Sequence, residues 1–195
     1  MTLNFTKFAA SQKGQALIEL ALALPLLLLL VLGVVELSNM LNSYLVLTHL
    51  TREGANSTSR GTDSTIDSDL DAVIAAAEPV IRSDNPGQWK VIYSQIVPGD
   101  PPADPEKYQI RRLGTWIRGG FGKESKIGFP DSPVNWAELG VLPGSISAGK
   151  RFHVIEVYYD YRPSIMTPLE NFLKNSLPTT FYERAIFTDI SLPAG

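Results

Sequence analysis

From Ala16 to Val35 the chain carries one charge, Glu19, and from Leu20 to Val35 it has no polar side chain at all. No soluble fold of this size readily hides such a run, because a helix apolar on every side needs an apolar surround. At about 1.5 Å per residue, roughly twenty helical residues cross the roughly 30 Å of bilayer hydrocarbon, so the run is long enough to span. Nine Leu and three Val between Leu20 and Val35 contribute about −5 kcal/mol on the insertion scale, against about +3 kcal/mol for one carboxylate. Insertion therefore wins despite Glu19. Pro25 removes one backbone hydrogen bond, which a membrane helix tolerates as a bend without a stop.

Lys7 and Lys13 precede the run without an acid beside them, whereas Glu36, Arg52 and Glu53 follow it in mixed sign. By the positive-inside rule the N-terminus stays cytoplasmic and the chain after about Asn39 is exported. A cleavable signal peptide fits worse, since the run is long and Glu36-Leu37-Ser38-Asn39 lacks the small residues of a cleavage site. The 195 residues suffice for this anchor and one folded body. A net charge of −3 argues against a broad basic surface, so nucleic acid is not an expected partner. With no cysteine, disulfides, thiolate metal sites and cysteine nucleophiles are excluded.

An acid just inside an apolar helix, after a short basic leader ending in glycine, marks a functional position by default. The segment Gly14-Gln15-Ala16-Leu17-Ile18-Glu19-Leu20-Ala21-Leu22-Ala23-Leu24-Pro25, the leucines that follow it, Glu36-Leu37 and Thr51-Arg52-Glu53-Gly54-Ala55 together resemble the TadE-like proteins of tight-adherence pilus systems, within the type IV pilin superfamily. Leu20 stands where such pseudopilins often carry Phe or Tyr. The resemblance implies that a prepilin peptidase cuts after Gly14, leaving Gln15 as the new N-terminus. It also implies that Glu19 pairs with the freed amine of a neighbouring subunit, so that two costly charges enter the bilayer as a neutral pair. The implied role is non-enzymatic: a pseudopilin of the bacterial inner membrane, single-pass, that helps assemble an adhesive Flp-type pilus with other pilin-like subunits and assembly proteins. The alternative is a membrane-tethered periplasmic binding module that the peptidase does not process.

The expected fold is α+β and pilin-like: a basic leader over 1–14, a transmembrane helix over 15–37, its periplasmic extension over 38–62, and an exported head with a small antiparallel sheet over 63–195. Leu37, Leu41, Tyr44, Leu45 and Thr48 recur at helical spacing and continue the rod, which Gly54 and the polar run 56–64 should end. A second helix is expected near Ser68–Glu78, with Ile66, Leu70, Val73, Ile74 and Ala77 on one face. Alternation predicts strands at Trp89–Val97, Tyr108–Ile117, Phe152–Tyr161 and Phe181–Ile190, the first two as an antiparallel pair. Between them, 119–150 reads as an ordered, irregular excursion, and Thr167-Pro168-Leu169-Glu170 as the capped start of a short helix.

Chemical constellations are sparse. Asp67, Asp69, Asp71, Ile74 and Glu78 take positions of a calcium loop, but Ala72 replaces its glycine and Ala75-Ala76-Ala77 favours helix, so the acids fit a helix start better than a metal. His49 and His153 fall on different elements. Gly119-Gly120-Phe121-Gly122-Lys123 lacks the spacing and the Ser or Thr of a phosphate loop. No serine sits in a nucleophile elbow, so neither an enzyme nor a cofactor is expected.

Overall fold

The computed structural model describes residues 6–78, 80–100, 104–142, 149–163 and 179–188, with side chains from Gly14 onward. Its dominant element is one helix, α1 (Thr6–Arg60), 55 residues long and unbroken at Pro25. Side chains from Gly14 to Val31 are all exposed, and it is the one helix among the described residues long and apolar enough to cross a membrane. Beyond the membrane run the expected architecture holds: α1 continues into an α+β head built on a small antiparallel sheet.

The sheet consists of β1 (Trp89–Val97), β2 (Gln109–Arg111), β3 (Ile117–Gly119), β4 (Phe152–Asp160) and β5 (Thr180–Thr188). Its order is β2-β1-β4-β5, every pair is antiparallel, and β3 shares the β2 edge of β1. The expected strand over 108–117 is thus two short ones, split by a tight turn at Gly114–Trp116 that drives Trp116 into the core. α2 (Ile66–Ala76) buries Ile66 and Leu70 as expected, and Val73 and Ile74 pack on the same core. The excursion after β3 holds one short helix, α3 (Trp136–Leu139), capped by Asn135 and ended by Gly140 at φ 65°. The capped helix expected at 167–170 lies outside the described residues.

Two cores flank the sheet because successive strand side chains alternate. On one face Tyr93, Ile155, Val157, Tyr159 and Tyr161 meet α1 and α2. On the other, Ile96, Ile110, Phe152 and Val154 meet Ile127, Val134 and Leu139 of the excursion. Tyr159 and Tyr161 therefore share a face and Tyr158 takes the other.

The role of Gly54 and the packed face of α1 differ from expectation. The helix ends at Arg60, inside the polar run and within the expected extension, but Gly54 takes no part in ending it. Gly54 costs about 1 kcal/mol of helix propensity, yet a Cβ there would sit 2.6 Å from Cδ1 of Ile155, so its absence lets the helix lie directly on β4. The packed face is also a different one. Leu37, Leu41 and Leu45 are 50%, 55% and 56% exposed, whereas Glu36, Ser43, Leu47, Leu50, Thr51, Ala55 and Thr58 are buried. Those hydroxyls bond back to carbonyls one turn earlier: Ser43 to Asn39 at 3.0 Å, Thr51 to Leu47 at 3.2 Å and Thr58 to Gly54 at 2.8 Å. Satisfied in this way, they pack as small side chains.

Candidate functional site

Gly14, Gln15 and Glu19 lie on consecutive turns of α1, not at its start. Gln15 Nε2 donates to Glu19 Oε1 at 3.0 Å, and both side chains point outward. A Cβ added at Gly14 would meet nothing within 4 Å. Nothing in this chain's own described packing asks for a glycine there, although glycine inside a helix costs about 1 kcal/mol relative to alanine.

Seventeen residues after Glu19, the next acid has the opposite environment. Glu36 is 2% exposed, and its carboxyl accepts a short hydrogen bond from the Tyr161 hydroxyl, just past β4. The Tyr161 N–H donates to the Thr179 carbonyl at 2.8 Å, and its ring lies 6.1 Å from that of Phe181. Phe181 in turn stacks on Tyr159 at 6.5 Å and meets Tyr44 of α1 edge-on at 5.9 Å. This aromatic cluster fastens the helix to the ends of β4 and β5. Alternation puts Tyr161 on this face, but nothing in the sequence joins it to Glu36, since a contact across 125 residues leaves no local signal.

A second buried acid, Glu156, was missed altogether. It is fully buried in β4 and accepts from the Ser125 hydroxyl, from the Lys126 N–H at 2.9 Å and from the Tyr182 hydroxyl at 2.9 Å. Arg112 reaches the Ser94 hydroxyl nearby at 2.7 Å, and burial holds its guanidinium below the usual arginine range. The faint signal was an acid between Ile155 and Val157, which alternation assigns to solvent until the excursion covers it.

Burial is also the first cause that pushes the phenols of Tyr158, Tyr161 and Tyr182 up, and Glu156 or Glu36 adds to it in each case. These groups ionise more readily in the unfolded chain, near pH 10, than in the folded one. Their contribution is therefore complete below about pH 10 and falls away as the pH rises further. In an alkaline titration followed by tyrosinate absorbance, Tyr44, the one exposed tyrosine, should titrate ahead of them. These three should ionise only together with loss of the fold.

The calcium pattern dissolves into structure. Asp67, Asp69 and Asp71 lie on α2, a regular helix, with Glu78 just beyond it. Arg118 bridges Asp67 at 2.9 Å and Asp71 at 2.6 Å. Among the described residues no group of three acids or histidines could hold a metal. His153 is buried against the Tyr93 hydroxyl at 2.7 Å, whereas His49 is exposed on α1. Within Thr51-Arg52-Glu53-Gly54-Ala55 the small residues face the sheet. Arg52 and Glu53 face outward and join His49 and Asp69 around an open groove of about 590 Å³ between α1 and α2.

One known pattern coincides with this geometry. Residues 14–56 match the family model of the TadE-like proteins. No curated protein and no solved structure matches the chain. The TadE-like segment begins at the glycine of the junction and takes in Glu19, the whole apolar run, buried Glu36 and the small residues that lie on β4. It bears out the resemblance read from the sequence, and it stops four residues short of the end of α1. The head from α2 onward lies outside it.

Proposed function

We propose that this protein is a pseudopilin of a tight-adherence pilus system: a non-enzymatic subunit held in the bacterial inner membrane by one helix, with its head exported, that takes part in pilus assembly. The observation that carries the reading is the TadE-like segment with glycine, acid and apolar run in order on one outward-facing stretch of helix. As it stands α1 has no acid in its first turn. Cutting after Gly14 would start the helix at Gln15 and bring Glu19 close to a new positive N-terminus, where the helix dipole and a released amine both favour a carboxylate. Glu19 has one partner within the described chain, Gln15, and faces away from the head, as a group that pairs with another subunit must. Lys7 and Lys13 keep the leader in the cytoplasm, within reach of a prepilin peptidase.

The test is co-expression with the cognate prepilin peptidase, followed by intact-mass measurement of the membrane-bound chain. The expected product begins at Gln15, and Gly14→Val should reduce its yield at least tenfold while leaving the full-length chain in the membrane. A chain that begins at Met1 whether or not the peptidase is present would reject processing. It would favour the tethered binding module, for which the groove around Arg52 and Glu53 is the available surface.

A further inference from the structure

Counting along α1 fixes the height at which the head meets the helix. In the sequence the apolar run begins at Ala16 and Leu17; about twenty residues at 1.5 Å fill the roughly 30 Å of hydrocarbon, which brings the outer edge to Glu36. Glu36 is also where the head takes hold, through Tyr161. At this contact lies a cleft of about 160 Å³, lined by Gly33, Glu36, Leu37 and Met40 of the helix and by Tyr161, Pro163 and Thr179 of the head. Gly33 belongs to the apolar run itself, so the end of the head reaches down to the last turn of the membrane segment.

We propose that this end of the head, Tyr161–Pro163 together with Thr179–Phe181, is a lipid-contacting surface. It rests in the interfacial layer of the leaflet from which the helix emerges, and a phospholipid acyl chain enters the cleft. The inference rests on the reading of α1 as a membrane span.

Three observations converge on phospholipid as the occupant. The walls of the cleft are almost wholly apolar and continuous with the exposed surface of the membrane run. Tyr44 is exposed at this end beside the half-buried Phe181, with Tyr159 and Tyr161 buried behind them, and an exposed tyrosine favours the headgroup level. Arg162 is largely exposed and, among the described residues, meets Asp160 at 3.7 Å, a cation placed to reach the lipid phosphates. The opposite end of the sheet differs in character. There Arg111, Asp63 and Gln95 form a polar cluster, with the ion pair at 2.8 Å. Burial of Glu36 follows from the same placement, because a bare carboxylate at the hydrocarbon edge is costly and the Tyr161 hydroxyl covers it.

The chain has no cysteine, so single nitroxide labels can be introduced without removing native thiols. Thr180→Cys and Thr188→Cys label the two exposed ends of β5, about 26 Å apart along the strand, and Val34→Cys labels the exposed membrane run. The full chain is reconstituted in vesicles of phosphatidylethanolamine and phosphatidylglycerol, and collisions with oxygen and with a water-soluble nickel complex are compared. The expected ratio of oxygen to nickel accessibility is highest at 34, several-fold lower but interfacial at 180, and that of bulk water at 188. Equal, water-like ratios at 180 and 188, with 34 in lipid, would overturn the lipid-contacting surface alone. A water-like ratio at 34 would overturn the spanning reading and the inference with it. Protection at 180 from both reagents, with spin–spin broadening, would replace lipid by a second copy of the chain.

Discussion

Replacing Glu156 by alanine should destabilise the head by about 3–5 kcal/mol, the cost of removing one side of a buried charged or strongly hydrogen-bonded set. The loss is large because three donors converge on this carboxyl: the Ser125 hydroxyl, the Lys126 N–H and the Tyr182 hydroxyl. Each donor left without an acceptor forfeits about 1–3 kcal/mol unless water reaches it. Arg112 loses a nearby acid whose field favours its charge and offsets the effect of burial. Urea denaturation of the full chain in detergent micelles measures the effect. Glu156→Gln retains an acceptor and should cost less than half as much. Hydrogen exchange should locate the damage in the excursion around Ser125 and Lys126, leaving α1 protected. An alanine variant within 1 kcal/mol of the parent would show that this carboxyl does not hold the excursion down.

Trp116→Ala should cost a comparable 3–5 kcal/mol for a different reason, the cavity left by a large side chain. Trp116 is 0% exposed, meets Tyr93 edge-on at 5.0 Å and lies under the Arg111 guanidinium at 5.6 Å. Its indole N–H has no hydrogen-bond partner among the described residues. A phenylalanine therefore gives up area but also relieves a buried donor, and Trp116→Phe should fall well below the alanine value. The same denaturation experiment separates the two. Equal losses for Phe and Ala would mean that the indole N–H is satisfied and that area is not what matters at this position.

The strands were legible where alternation ran uninterrupted, as in Trp89–Val97 and Phe152–Asp160, because period-two burial writes itself directly into residue order. The strand near 108–117 was read as continuous because nothing in Gly114-Thr115-Trp116 announces that a turn will bury the tryptophan. For α1 the element and its length beyond the membrane could be read, but its packed face could not. Leucines mark an apolar face to a sequence reader, and Leu37, Leu41 and Leu45 lie outward. The true contact surface is written in Ser43, Thr51, Gly54 and Thr58, whose polarity is cancelled locally and whose small size is what permits close approach. Of the candidate site, the order Gly14 to Glu19 stands in the sequence itself, and the TadE-like match begins at its glycine. Glu36 with Tyr161, and Glu156 with its donors, are long-range pairings that only the fold creates.

An unbroken helix from Thr6 to Arg60 has a mechanical meaning. At 1.5 Å per residue it is a rod of about 80 Å, clamped to the sheet at Glu36 and again at Gly54, with no slack linker between lipid and head. Axial load or torque applied at the N-terminal end has no joint in which to dissipate except Pro25, where one hydrogen bond is missing. Whatever draws the apolar end of the rod along its axis must move the head by the same distance and turn it through the same angle.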